Sequence, residues 1–391
     1  MPALSTKIWY NVKSAGTCVA PQRHQHPKGG PTTMPGFTTH YILGMKAYND
    51  MPQNNLKFII AKYRWLYQLG LQGPDMFFYN LPVLRHRDHR NVGSYMHEHH
   101  VNDFFRCAFT RLSKIESRQQ REEGLAFLCG FISHYIGDSI CHPYVYGRIH
   151  YDAEHPTAAC HGLHAKLEND IDALLLMKYK KKKPSQFNQA ATICLNGMET
   201  QFISRFLSSC LNDAFYPLSS KNHYQVSPGM IHRSILALRL GCRTLSDPNS
   251  QKKNWIEYVE SLFLRNPLAS SKMVTDVVED PVWSLNLRHE TWCNPWDKSI
   301  ASQTSFPDLF RQCLAKHATI YYMINTLMEE NNIRPASFDR ILGRTWKLFL
   351  SQRSSLQRRG RLTHHNSYSI TAVHNKRPGH ACADNVYPAG T

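Results

Sequence analysis

The chain has no CxxC pair, and its eleven cysteines are scattered and odd in number. A disulfide scaffold and a thiolate zinc site are therefore not what organises it. Several cysteines, Cys129 and Cys141 among them, fall in apolar runs and read as small buried hydrophobes. No eighteen-residue apolar stretch stands out, so no membrane-spanning segment is expected. The opening residues MPALSTKIWYNVKSAG hold no apolar run of the kind a secretory leader needs. A soluble, intracellular and cytoplasmic protein is the resulting expectation. Alternating apolar and polar residues are also missing, as is any internal repeat, which argues against sheet architectures and solenoids. Acidic residues are few, 29 against 46 Lys and Arg, for a formal net charge of +17. Most of that excess is terminal: residues 1–33 carry +4 and residues 334–391 carry +8, which leaves +5 for residues 34–333. A basic nucleic-acid face on the folded part is therefore not indicated. What remains is a chain of 391 residues, 42% hydrophobic, with ample material for a core.

The centre of the chain is the run from Gly124 to Tyr144, GLAFLCGFISHYIGDSICHPY. His134, Asp138 and His142 recur every fourth residue, a spacing that stacks side chains on one helix face. Their neighbours Leu125, Phe127, Leu128, Phe131, Ile132, Ile136 and Ile140 are apolar, so the helix is expected to be buried and its polar groups to need partners. A bound cation satisfies three ligands in register. Gly130 and Gly137 would let neighbouring backbones approach closely, and Pro143 predicts a helix stop at His142.

In chain order, residues 1–33 lack periodicity and read as disordered, with His24 and His26 in a flexible tail and Met34 as a candidate natural start. Order is expected from MPGFTTHYILGMKAYND, where Thr38 or Thr39 would cap a helix entered by His40. LKFIIAKYRWLYQLGL (56–71) has helical spacing, and QGPDMFFYNLP breaks it just before Asp75. A histidine-dense loop follows with His86, His89, His97, His99 and His100, too many for all to be ligands. Helices are expected at about 101–117 and 122–142, then a polar loop with His150, Asp152, Glu154 and His155. The next helix sets His164 and Glu168 four apart and closes on a lysine run favoured by its C-terminal dipole. Further helices are expected at 189–214, 228–244, 253–264 and 307–330. Between the last two lies an irregular stretch with Trp283, Trp292 and Trp296, suited either to a substrate-facing lip or to simple packing. The tail after about residue 334 reads as basic and poorly ordered. The fold class is all-α: a single multi-helix bundle over residues 34–333.

Collected, the candidate ligands are His40, Asp75, His97, His134, Asp138, His142, His164 and Glu168. Nitrogen and carboxylate oxygen without thiolate suit zinc held for catalysis. Eight side chains exceed what one ion needs, so two or three clustered ions with a bridging carboxylate such as Asp138 are expected. Such a cluster serves in-line phosphoryl displacement.

MPGFTTHY, GPDMFFY, GSYMH, HYIGDSICHPY and HAKLENDID, in that order, resemble the bacterial zinc-dependent phospholipase C family, strongly over residues 34–172 and more loosely to about 330. The resemblance implies an all-helical fold, three zinc ions, and hydrolysis of phospholipids to diacylglycerol and a phosphorylated headgroup. It places the family's ligands on the same eight residues and its proposed general base on Asp75. Secreted members also use their processed α-amino group as a ligand, whereas here 39 residues precede His40. The implied partner is a phospholipid, met at a membrane surface, with no specific nucleic acid. Two alternatives share the residues: a single-strand nuclease-type phosphodiesterase on the same fold, and a catalytically silent metal-stabilised helical protein.

Overall fold

A computed structural model describes residues 36–80, 92–98, 101–152, 158–215, 225–245, 247 and 273–330, with parts of 251–258. The expectations for residues 1–33 and 334–391, and for His24, His26, Met34, His86, His89, His99, His100, Glu154 and His155, lie outside the described residues.

The described chain is all-α apart from one hairpin. Its helices are α1 (Phe37–Asp50), α2 (Asn55–Lys62), α3 (Arg64–Gly70), a 3₁₀ segment at Gly73–Tyr79, α4 (Val92–Glu98), α5 (Val101–Ser113), α6 (Arg118–Arg148), α7 (Ala158–Lys180), α8 (Gly197–Phe215) and α9 (Pro228–Thr244). Short 3₁₀ turns at Pro184–Gln186 and Gln189–Thr192, a one-turn helix α10 (Pro281–Ser284), strands β1 (Trp292–Asn294) and β2 (Asp297–Ser302), and α11 (Phe306–Glu329) complete it. Local chemistry sets several starts. Ser117 caps α6 through Gln120 N, Ser227 caps α9 ahead of Pro228, and Ser305 and Asp308 close a capping box on α11.

α6 is the axis. By length and composition it could cross a membrane, although no membrane-spanning segment was expected from the sequence. However, 89% of its apolar window is buried inside the protein, which makes it a core helix. α3 crosses it so tightly that a Cβ on Gly130 would stand 2.1 Å from Tyr67 O, and one on Gly70 would stand 2.2 Å from Phe127 O. α1, α2 and α11 pack along one side of α6, and α5 with α8 along another. Phe104, Phe105, Phe127, Phe131 and Tyr135 interlock there with ring centroids 5.0–6.0 Å apart. Each such ring contributes roughly 1.5–3 kcal/mol through burial.

Six expectations need correction. First, the loop expected around His97 contains helix α4. Second, the helix expected at 189–214 starts only at Gly197, behind a separate 3₁₀ turn at Gln189–Thr192. Third, α6 does not stop at His142 but runs through Pro143 to Arg148. An interior proline costs about 3 kcal/mol. The turn beyond it offsets that by burying Tyr144 and Val145, donating from Tyr144 Oη to Ser284 O at 2.8 Å, and pairing Arg148 with Glu290 at 2.9 Å. Fourth, the stretch 56–71 is two helices that turn at Tyr63, because α2 lies along α11 while α3 crosses α6. Fifth, the tryptophan stretch is not wholly irregular: β1 and β2 pair antiparallel, Trp292 opposite Ser302 and Cys293 opposite Ala301, with a bulge at Asn294. Strands of three and six residues, the longer mostly exposed, leave too little alternation to read. Finally, α1 begins at Phe37, so Thr38 and Thr39 lie within its first turn rather than capping it.

Candidate metal centre

The first turn of α1 is capped from outside. Asp172, on α7, accepts hydrogen bonds from Thr38 N at 2.9 Å, Thr39 N at 2.7 Å and Thr39 Oγ1 at 2.5 Å. This satisfies donors that a helix start leaves unpaired and places a carboxylate at the positive dipole end. The next residue is His40. Asp172 continues the series His164, Glu168 at four-residue spacing, so α7 presents three polar groups in register, as α6 does with His134, Asp138 and His142. The sequence reading missed it, although the same spacing rule extended by one step would have found it.

The eight residues predicted from the sequence come together from α1, the 3₁₀ segment, α4, α6 and α7. Their ligand atoms form three groups, each within 4.8 Å: His40–Asp75–His134, His97–His134–Asp138 and His142–His164–Glu168. Asp138 stands between them with its oxygens divided. Oδ1 lies 3.2 Å from His40 Nε2 and 3.6 Å from His142 Nε2, while Oδ2 lies 3.1 Å from His134 Nε2 and 3.3 Å from His97 Nε2. His97 Nε2 is also 3.2 Å from Asp75 Oδ1, and Glu168 Oε1 is 2.8 Å from His164 Nε2 and 3.5 Å from His142 Nε2. His150 and Asp152 belong to none of the three groups.

Backbone carbonyls orient two of the rings. His97 Nδ1 is 2.7 Å from Gly93 O, and His134 Nδ1 is 3.3 Å from Leu71 O. With those nitrogens donating, both Nε2 lone pairs face inward, 3.5 Å from each other. Tyr135 Oη donates to Met96 O at 2.8 Å and so holds α4, which carries His97. Gly73, at φ 49°, lets the 3₁₀ segment turn beneath His134, whose ring a Cβ there would meet at 2.4 Å.

The residues fit a cluster of divalent cations. Two imidazole lone pairs aimed at one another, and three buried carboxylates, repel unless positive charge lies between them. Among the described residues, buried atoms without a hydrogen-bond partner concentrate here: His40 Nδ1, both oxygens of Asp75, both of Asp138, His142 Nε2, His164 Nδ1 and Glu168 Oε2. The pKa shifts express the same demand. Burial alone would raise Asp138, yet the imidazoles of His134 and His142 hold it well below the usual carboxylate range. Burial would lower His97, but Asp138 and Asp75 push it up to about 10, and His40 is raised by Asp138 in the same way. At the other end burial raises Glu168 to about 7 and lowers His164 to about 4. A cavity of about 30 Å³ beside these groups is lined by His40, Asp138, His142 and Glu168 together with Cys141, Val145 and Phe306.

The family model of zinc dependent phospholipase C matches residues 39–236, which span all eight of these side chains. The chain belongs to the zinc-dependent phospholipase C family. No curated protein and no solved structure matches it. Membership brings with it, at the level of the family, a zinc-dependent hydrolase of the phospholipase C kind, and the His and carboxylate groups above are its candidate zinc-binding residues. The all-α fold agrees with the family.

Proposed function

We propose that this member of the family hydrolyses a glycerophospholipid at a membrane surface, releasing diacylglycerol and a phosphorylated headgroup. The observation that carries the reading is the divided carboxylate of Asp138, shared among imidazoles from α1, α4 and α6 in a buried site with too few hydrogen-bond donors. His40, Asp75, His97, His134, Asp138, His142, His164 and Glu168 would hold two to three zinc ions. Zinc bound there supplies Lewis-acid stabilisation of charge on the phosphate and lowers the pKa of a coordinated water toward about 7.

The protein's own groups do the rest. Gly93 O and Leu71 O keep His97 and His134 in the tautomer that turns Nε2 inward. Asp75 is 3% exposed, and among the described residues its carboxylate oxygens have no hydrogen-bond partner, which supports a role in orienting the attacking water and taking its proton. A bond forms from the water oxygen to phosphorus, the bond from phosphorus to the glycerol oxygen breaks, and that oxygen takes a proton from solvent. His134→Ala and Asp138→Asn are each expected to abolish phosphodiesterase activity, a loss of at least about a hundredfold, and to lower zinc content. Full activity in both variants would sink the reading. Assaying short-chain phospholipid beside single-stranded DNA separates the lipid substrate from the nuclease alternative, faster turnover of the DNA favouring the latter.

A further inference from the structure

The hairpin lies beyond the span matched to the family, yet it docks on the turn of α6 that follows the ligand-bearing stretch. Gly147 admits it: a Cβ there would stand 2.6 Å from Cys293 O and 3.0 Å from the Trp292 ring. Between its strands sits Trp296, whose backbone N–H donates to Asn294 Oδ1 at 2.9 Å. The Trp296 ring meets Tyr146 edge-on at 5.2 Å, and Tyr146 in turn lies 4.4 Å from the His164 ring and 5.9 Å from the His142 ring. Tyr151 adds a third ring 4.8 Å from Tyr146. These three rings are only partly buried. By contrast Tyr135, the aromatic neighbour of His97 and His134, is 4% exposed and part of the core. Two imidazoles of the centre thus carry a run of partly buried aromatic rings that ends on a segment the family match does not include.

We propose that Tyr146 and Trp296 form the subsite for the organic group esterified to the phosphate, accepting groups that offer an apolar or cationic face and disfavouring anionic ones. This rests on the phosphodiesterase reading, which places a phosphate over the adjoining centre. The selectivity follows from the rings: an aromatic face carries partial negative charge and attracts cations and apolar edges. Hydrolysis would then come from the part shared with the family, and the choice of substituent from the hairpin.

The test is calorimetric titration of the zinc-loaded full chain with methylphosphonate, phenylphosphonate and phosphorylcholine, all of which present the same kind of phosphorus oxygens. The second and third are expected to bind about tenfold more tightly than the first. Trp296→Ala is expected to bring that ratio close to one, Trp296→Phe to retain most of it, and both to keep wild-type zinc content. A wild-type chain without the preference, or a ratio unmoved by Trp296→Ala, overturns the subsite. Turnover is measured separately. A chain that shows the ratio but cleaves no phosphodiester keeps the subsite and loses the hydrolase reading, and one that cleaves without the ratio loses the subsite alone.

Discussion

Asp172 touches none of the three ligand groups, yet it decides where His40 stands. Its carboxylate holds the first turn of α1 through Thr38 and Thr39, one residue before that imidazole. Removing it leaves two N–H groups and a hydroxyl without their acceptor, and loss of a helix cap costs about 1–2 kcal/mol. Asp172→Ala is expected to destabilise the metal-free protein by that amount in urea denaturation and to lower zinc content as well. Asp172→Asn, which keeps an acceptor, should recover part of both, and wild-type zinc retention in the alanine variant would contradict the positioning role. At this scale the sequence was legible where spacing is local. His134, Asp138 and His142, like His164 and Glu168, are recognisable because residues four apart share a helix face. Thr38 and Thr39 were misread as caps because the true acceptor lies 133 residues away from Thr39, and local pattern cannot reveal it.

Among the elements, the seam between α6 and α11 carries the clearest pH dependence outside the metal centre. His317 Nδ1 donates to Cys313 O at 2.6 Å, so Nε2 accepts from the Ser133 hydroxyl at 2.7 Å. Burial lowers the pKa of this neutral ring from 6.5 to about 4. Between those values the unfolded chain binds a proton that the folded chain does not. Stability therefore rises with pH through that window and is lost as pH falls through it. Going from pH 7 to about 4.5, this group should remove about 2–3 kcal/mol from the metal-free protein. His317→Gln should flatten the pH dependence of the urea midpoint by that much relative to wild type, and parallel curves for the two proteins would refute it. The helices themselves were mostly readable from apolar periodicity. Two features were not: the continuation of α6 past Pro143 and the hairpin it receives. Both depend on distant partners, Ser284, Glu290 and Cys293. The rule that proline ends a helix gave way to their tertiary packing.

Across the whole molecule, ligand candidates from residue 40 to residue 168 are drawn from five elements into one buried neighbourhood. Composition argued for a large core, apolar spacing for its helices, and the quoted motifs led to the family. No local signal indicated how the carboxylate of Asp138 divides its two oxygens, since that depends on how α1, α4 and α6 meet. Metal binding ties these distant segments together and should stabilise the fold by several kcal/mol when free zinc greatly exceeds the dissociation constant. The most direct measurement is elemental analysis of chain purified without chelator, combined with thermal denaturation before and after metal removal. Two to three zinc ions per chain, fewer in Asp138→Asn, and a lower melting temperature after chelation are the predicted results. A chain without stoichiometric zinc, or an Asp138→Asn variant that retains the full complement, would contradict the account.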